Sequence, residues 1–215
     1  MQISKQDSAR LAALFHQMQN RPDRNNEYPD YKDIPALHEM AARIRPYAAK
    51  LEEADADTLT DIAAVCRFLG EQYRWMGRGV YAAEFLSAAF HAAVAGAEPL
   101  EDAGQLFADA VRARNYYVDD DCEDLKQRAA TVLDETTLSH TFASASKRTM
   151  KRDPVEMTPE YLAVIDEVEE KVAEEMTAFG RGSCHHRWAM LRDGLAEKGV
   201  YWRSPAVMNP RWRFD

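Results

Sequence analysis

An all-α fold is predicted for this chain by three observations. Apolar residues recur at spacings of three and four in segment after segment, no run alternates apolar with polar over the length of a strand, and helix-start and helix-stop residues bracket the periodic segments. With 215 residues, 46% hydrophobic and 29% charged, the chain can bury a core without disulfides or structural metal.

The first periodic segment, 4–20, brings Leu11, Leu14, Phe15 and Met18 to one face, and Ser4 with Asp7 three residues on reads as a capping start. Residues 21–33 hold two prolines among polar groups and are expected to form a loop. A helix over 34–53 aligns Leu37, Ala41, Ile44, Ala48 and Leu51, with a kink or break expected at Pro46. The third, 58–76, stacks Leu59, Ile62, Cys66, Leu69 and Tyr73. After a turn at 77–79 the fourth, 80–95, is apolar nearly all round, as a buried central helix should be.

Helices over 100–117 and 121–133 follow, and the polar stretch 135–157, with Lys147, Arg148, Lys151 and Arg152, is expected to be a linker with one short helix. Thr158-Pro159-Glu160 opens a long helix: a capping hydroxyl, proline in the first turn, and an acid beside it. Its stripe of Tyr161, Ile165, Val168, Val172, Met176 and Phe179 runs to Gly180. A last short helix spans 183–198, and the tail 200–215 is irregular. The expected organisation is a helical body over 1–134, the linker, and a C-terminal part, 158–215, packing on the body. Trp202, Trp212 and Phe214 make the tail too aromatic for a free arm, so it is expected to dock in a groove of the body.

Charge excludes some functions. The formal net charge is −9, but residues 181–215 carry seven Arg and Lys against three Asp and Glu, while the first 180 carry 20 against 33. An acidic body of this kind repels nucleic acid. The basic tail is explained either by docking on its own body or by an anion site. The most apolar stretch, 80–97, is interrupted by Glu84 and His91 and reads as a buried helix, not a membrane span. The start of the chain lacks a secretory signal pattern, and Cys66, Cys122 and Cys184 have no paired spacing, so a cytoplasmic protein with reduced thiols is expected.

Leu69-Gly70, Tyr73, Gly77, Ala82 and Ala89 stand at intervals at which small residues let two helices of a hairpin approach and an aromatic fills the gap. The segment 63–96 thereby resembles one tetratricopeptide repeat, with Cys66, Leu86 and Val94 departing from the usual residues. Ala103-Gly104 and Phe107 carry a fainter second copy 34 residues on. The resemblance implies a tetratricopeptide-like array whose first helices line a groove. On this hairpin the groove positions are Arg67, Glu71 and Arg74, at i, i+4 and i+7. The two arginines either hold a carboxylate or phosphate of a partner or pair with neighbouring acids. The chain's ending also resembles that of uncharacterised bacterial proteins, which carries no function with it.

The densest chemistry lies at 179–188. Gly180, Gly182 and Ser183 precede a helix start, where free N–H groups favour an anion, and Arg181 and Arg187 add positive charge. Cys184 falls in the first turn, where a thiolate is stabilised. Against a reactive thiol, Met190 stands where a phosphatase loop needs arginine. Adjacent Cys184, His185 and His186 fan out by about 100° per residue, which opposes a shared metal. Cys184 also heads a stripe with Trp188, Leu191 and Leu195, so it is expected to be mostly buried. The acid run 119–124 lacks calcium-loop spacing, and no phosphate-binding glycine motif occurs. The expectation is a cytoplasmic scaffold that binds a protein or peptide, without an assignable activity or cofactor, its tail capping the groove. The alternative is an enzyme or an anion- or metal-binding protein built on Cys184, His185 and His186 with Arg181, Ser183 and Arg187.

Overall fold

A computed structural model describes residues 1–21, 30–96, 99–147, 150–176 and 182–214. Helix accounts for 72% of the described residues, and no strand occurs among them. The fold is all-α. No described helix is long and apolar enough to cross a membrane. The chain divides into two compact units, Met1–Asn115 with Asp119–Lys147, and Tyr116–Val118 with Arg148–Asp215.

In the first unit α1 spans Lys5–Gln19, α2 Ile34–Ala48, α3 Ala56–Trp75, α4 Gly79–Ala93, α5 Ala103–Arg114, α6 Glu123–Ala129 and α7 Glu135–Ala145. Each of the first five packs against the next, most extensively α3 on α4 and α4 on α5. The cap expected at Ser4 forms, its hydroxyl accepting the Asp7 N–H at 3.0 Å, and α3 begins two residues before the expected 58 because the Asp55 carboxylate caps it, accepting the Thr58 N–H at 2.9 Å. The loop expected over 21–33 lies mostly outside the described residues, but Tyr31–Asp33 form a 3-10 turn boxed by Asp30.

Helix α2 carries no break at Pro46. The proline sits in its last turn, so its ring disturbs only the end of the helix, which stops two residues later, before a 3-10 turn at Leu51–Glu53. Residues 135–145, expected within the linker, are a full helix begun by Asp134, whose carboxylate accepts the Thr137 N–H at 3.0 Å.

Hairpin α3–α4 is closed by a Schellman turn. Gly77, at φ +71°, donates to the Arg74 carbonyl, and Arg78 N–H donates to that of Tyr73 at 2.8 Å. Tyr73 is buried between the two helices, its ring stacked on Phe85 at 5.9 Å and its hydroxyl 2.9 Å from His38 Nδ1 on α2. Helix α4 buries Phe85, Leu86, Ala89, Phe90, Ala92 and Ala93, as its all-round apolar sequence requires.

In the second unit α8 spans Pro159–Glu175, α9 Ser183–Glu197 and α10 Pro205–Met208. Tyr161, Ile165, Val168 and Val172 of α8 meet Leu191 and Leu195 of α9 around Val200 and Trp202. Phe179 and Gly180, expected to finish the long helix, lie outside the described residues. Trp202 finds its burial inside this unit rather than in the groove expected for it. Its indole N–H donates to Glu156 Oε1 at 2.8 Å, and the next residue, Arg203, is bound to buried Asp153. Asn209 completes the fold of the tail by exchanging hydrogen bonds of 2.8 Å with both backbone groups of Lys151. Trp212, also expected to bury, stays 52% exposed.

Candidate binding furrow

Helix α3 packs on α4 and on α2 and leaves a further face exposed. The open face is set by Thr60, Ala64, Arg67 and Glu71, spaced so that they share one side of the helix. Two clefts flank this face. Between α1 and α3 a cleft of about 320 Å³ is lined by Ile3, Leu11, Phe15, Met40, Val65 and Phe68, with Asp61 at its polar side. Between α3 and the start of α5 a cleft of about 830 Å³ is lined by Thr60, Arg67, Glu71, Glu101, Asp102 and Leu106. Ala64 and Phe68 line both, so the two clefts adjoin along α3. Phe68 is braced edge-on by Phe15 at 5.1 Å, which makes an aromatic partition between an apolar and a polar compartment.

An ion-pair network links α1 to α2 beside their apolar contacts. Glu39 on α2 accepts both Arg10 nitrogens, at 2.6 and 2.8 Å, and Arg43 at 2.9 Å. Arg43 reaches on to Asp7 of α1 at 2.9 Å, and Tyr47 donates to the same carboxylate at 2.7 Å. The two guanidiniums, Arg10 foremost, hold the Glu39 carboxyl down to about 2.

Of the three groove positions expected on α3, Arg67 and Glu71 line the second cleft. Arg67 is committed on both sides: Nε donates to Glu71 at 3.1 Å and Nη1 to Asp102 at 2.5 Å, and the Glu71 hydrogen bond raises its pKa. It therefore pairs with neighbouring acids, the second of the two roles open to it in the sequence. Arg74, one turn on, is exposed near the helix end.

The head of α9 is less concentrated than its sequence. Arg181 lies outside the described residues. Ser183 opens the helix behind Gly182, which offers no side-chain cap. Arg187 turns to α8, donating to Glu169 at 2.6 Å. The exposed ring of His185 has Nε2 3.2 Å from the Phe214 carbonyl and lies edge-on to Trp188, while His186 is exposed elsewhere on the helix. No group of three potential metal ligands occurs among the described residues. Cys184, expected to be mostly buried, is only partly so. Among the described residues the core of this unit draws on Trp188, Met190, Leu191 and Leu195 of this helix, and Cys184 is not among them.

Two features escaped the sequence reading. Periodicity assigned Phe15 to the inner stripe of α1, yet it is 43% exposed and borders a cleft. Glu156 gave no signal, for it stood in a polar stretch, and only the fold brings the Trp202 indole to it. No family model, curated protein or solved structure matches the chain.

Proposed function

We propose that this chain is a helical scaffold that holds a protein or peptide segment along the open face of α3. The observation that carries the reading is the pair of adjoining clefts sharing Ala64 and Phe68, one apolar and one polar, presented by first helices as in a tetratricopeptide-like array. Pockets of this size, mostly apolar with a few placed polar groups, are the usual form of a binding site. The three free cysteines accord with a cytoplasmic setting.

The test is selection of peptides from a random displayed library against the whole chain, followed by rebinding to an Ala64→Arg variant. Ala64 is solvent-exposed on α3, and arginine is nearly as good a helix former as alanine, so the variant keeps its fold while a long side chain obstructs both clefts. Selected peptides should lose binding to it. Selection that yields only peptides indifferent to Ala64→Arg would refute the furrow. Chemistry at the head of α9 is the second reading, favoured by the partial exposure of Cys184, although Arg187 and His185 are each drawn to partners of their own.

A further inference from the structure

Charge along the furrow specifies its occupant more narrowly than shape does. Four carboxylates, Asp61, Glu71, Glu101 and Asp102, line the two clefts against one guanidinium, Arg67. Arg67 is shared by Glu71 and Asp102, which leaves that trio one negative charge in excess. Asp61 and Glu101 have no ion-pair partner among the described residues. An anionic ligand would therefore have to break the Arg67 pairs and face the remaining acids. A cation meets carboxylates that are already in place.

The apolar compartment is a separate requirement. Phe15, Leu11, Ile3 and Phe68 surround a volume suited to one large side chain, and an occupant would cover the Phe15 ring, which is otherwise 43% exposed. Resting on the furrow reading above, we infer that the occupant is a cationic peptide segment with a large apolar anchor. The anchor enters the α1–α3 cleft, and a lysine or arginine enters the α3–α5 cleft between Glu101 and Asp102, with Asp61 available to a second base. The clefts adjoin at Ala64 and Phe68, so the anchor and the base belong to one short segment, a few residues apart.

The experiment measures fluorescence anisotropy of labelled peptides on the full chain. The probe carries Phe-Ser-Ser-Arg flanked by serines, and its companions replace Phe by Ala, or Arg by Glu. Either companion should bind at least tenfold more weakly. Neutralising Asp61→Asn or Glu101→Gln should each cost about threefold, the range of exposed ion pairs, and affinity should fall as salt rises. Ala64→Arg should abolish binding.

If the glutamate peptide binds as well as the arginine peptide and both are lost in Ala64→Arg, the inference on charge fails while the furrow stands. If the arginine peptide binds Ala64→Arg undiminished, its attraction is to the acidic surface at large and the inference fails. If none of these peptides binds while library selection returns furrow-dependent binders of other composition, the inference fails alone. If selection also returns none, the furrow fails with it.

Discussion

A Cβ placed on Gly70 would lie 2.5 Å from Leu86 Cγ, so α3 and α4 meet at a distance that only glycine permits. Beneath this contact Tyr73 and Phe85 fill the next layer of the hairpin. Gly70→Ala should therefore destabilise the first unit by about 1–3 kcal/mol, the usual range for overpacking, even though alanine returns up to about 1 kcal/mol in helix propensity. Thermal unfolding followed by circular dichroism measures it. Adding Leu86→Ala removes the clash, so the double variant should be more stable than the sum of the two single losses predicts.

Burial pushes the Glu156 carboxyl up from its ordinary 4.5, and the Trp202 and Tyr117 hydrogen bonds and nearby Arg152 only partly oppose this. The sign for stability follows from linkage. Between the ordinary value and the raised one the folded chain holds more protons than the unfolded chain, so stability falls as pH rises through that window. Glu156→Gln keeps an acceptor for the indole and should remove this slope. Unfolding followed by tryptophan fluorescence across mildly acidic pH checks it, and an unchanged slope would place the proton elsewhere. Trp202→Phe, which withdraws the N–H donor from Glu156, should cost about 1–3 kcal/mol at neutral pH.

The hairpin was legible because its determinants are local. Gly70, Tyr73 and Gly77 each act within one turn or one helix contact, and the helix starts at Ser4 and Thr158 are written in three or four consecutive residues. The furrow was half legible. The tetratricopeptide resemblance put Arg67, Glu71 and Arg74 at groove positions, and the first two line a cleft, but Asp102, which decides what Arg67 can do, is 35 residues away and only the fold brings it there. Cys184 shows the same limit from the other side. A stripe states which residues share a face, not how deeply each is covered, and among the described residues the α8–α9 core takes up Trp188, Leu191 and Leu195 but not Cys184.

Glu39 ties α1 to α2 and so holds one wall of the apolar cleft. Its carboxyl titrates near 2 when folded against an ordinary 4.5, so the support it gives is complete above about 4.5 and is lost as pH falls toward 2. Glu39→Gln should reproduce that loss at neutral pH. Hydrogen exchange read by mass spectrometry should show faster exchange across Lys5–Gln19, with α4 unchanged. Equal protection of α1 in the variant and the parent would show that apolar contacts alone hold it.

The three thiols should separate by reactivity. Cys66, on α3, is wholly buried in the core, and burial pushes its thiol up to about 12. Cys122 is buried at the head of α6, where burial first and Asp120 second push it up to about 11. Neither sulfur carries appreciable thiolate at neutral pH, and neither can be approached by a reagent while the chain is folded. Cys184 differs because it is partly exposed at the open first turn of α9. An aromatic disulfide reagent at neutral pH should therefore release one equivalent of its thiol from the native chain, and peptide mapping should place the adduct on Cys184. The other two equivalents should appear only as denaturant unfolds the protein, in step with the loss of helix. Native labelling at Cys66 would mean that the α3–α4 hairpin opens on the timescale of the reaction, and a Cys184 that stays unlabelled would return it to the buried stripe.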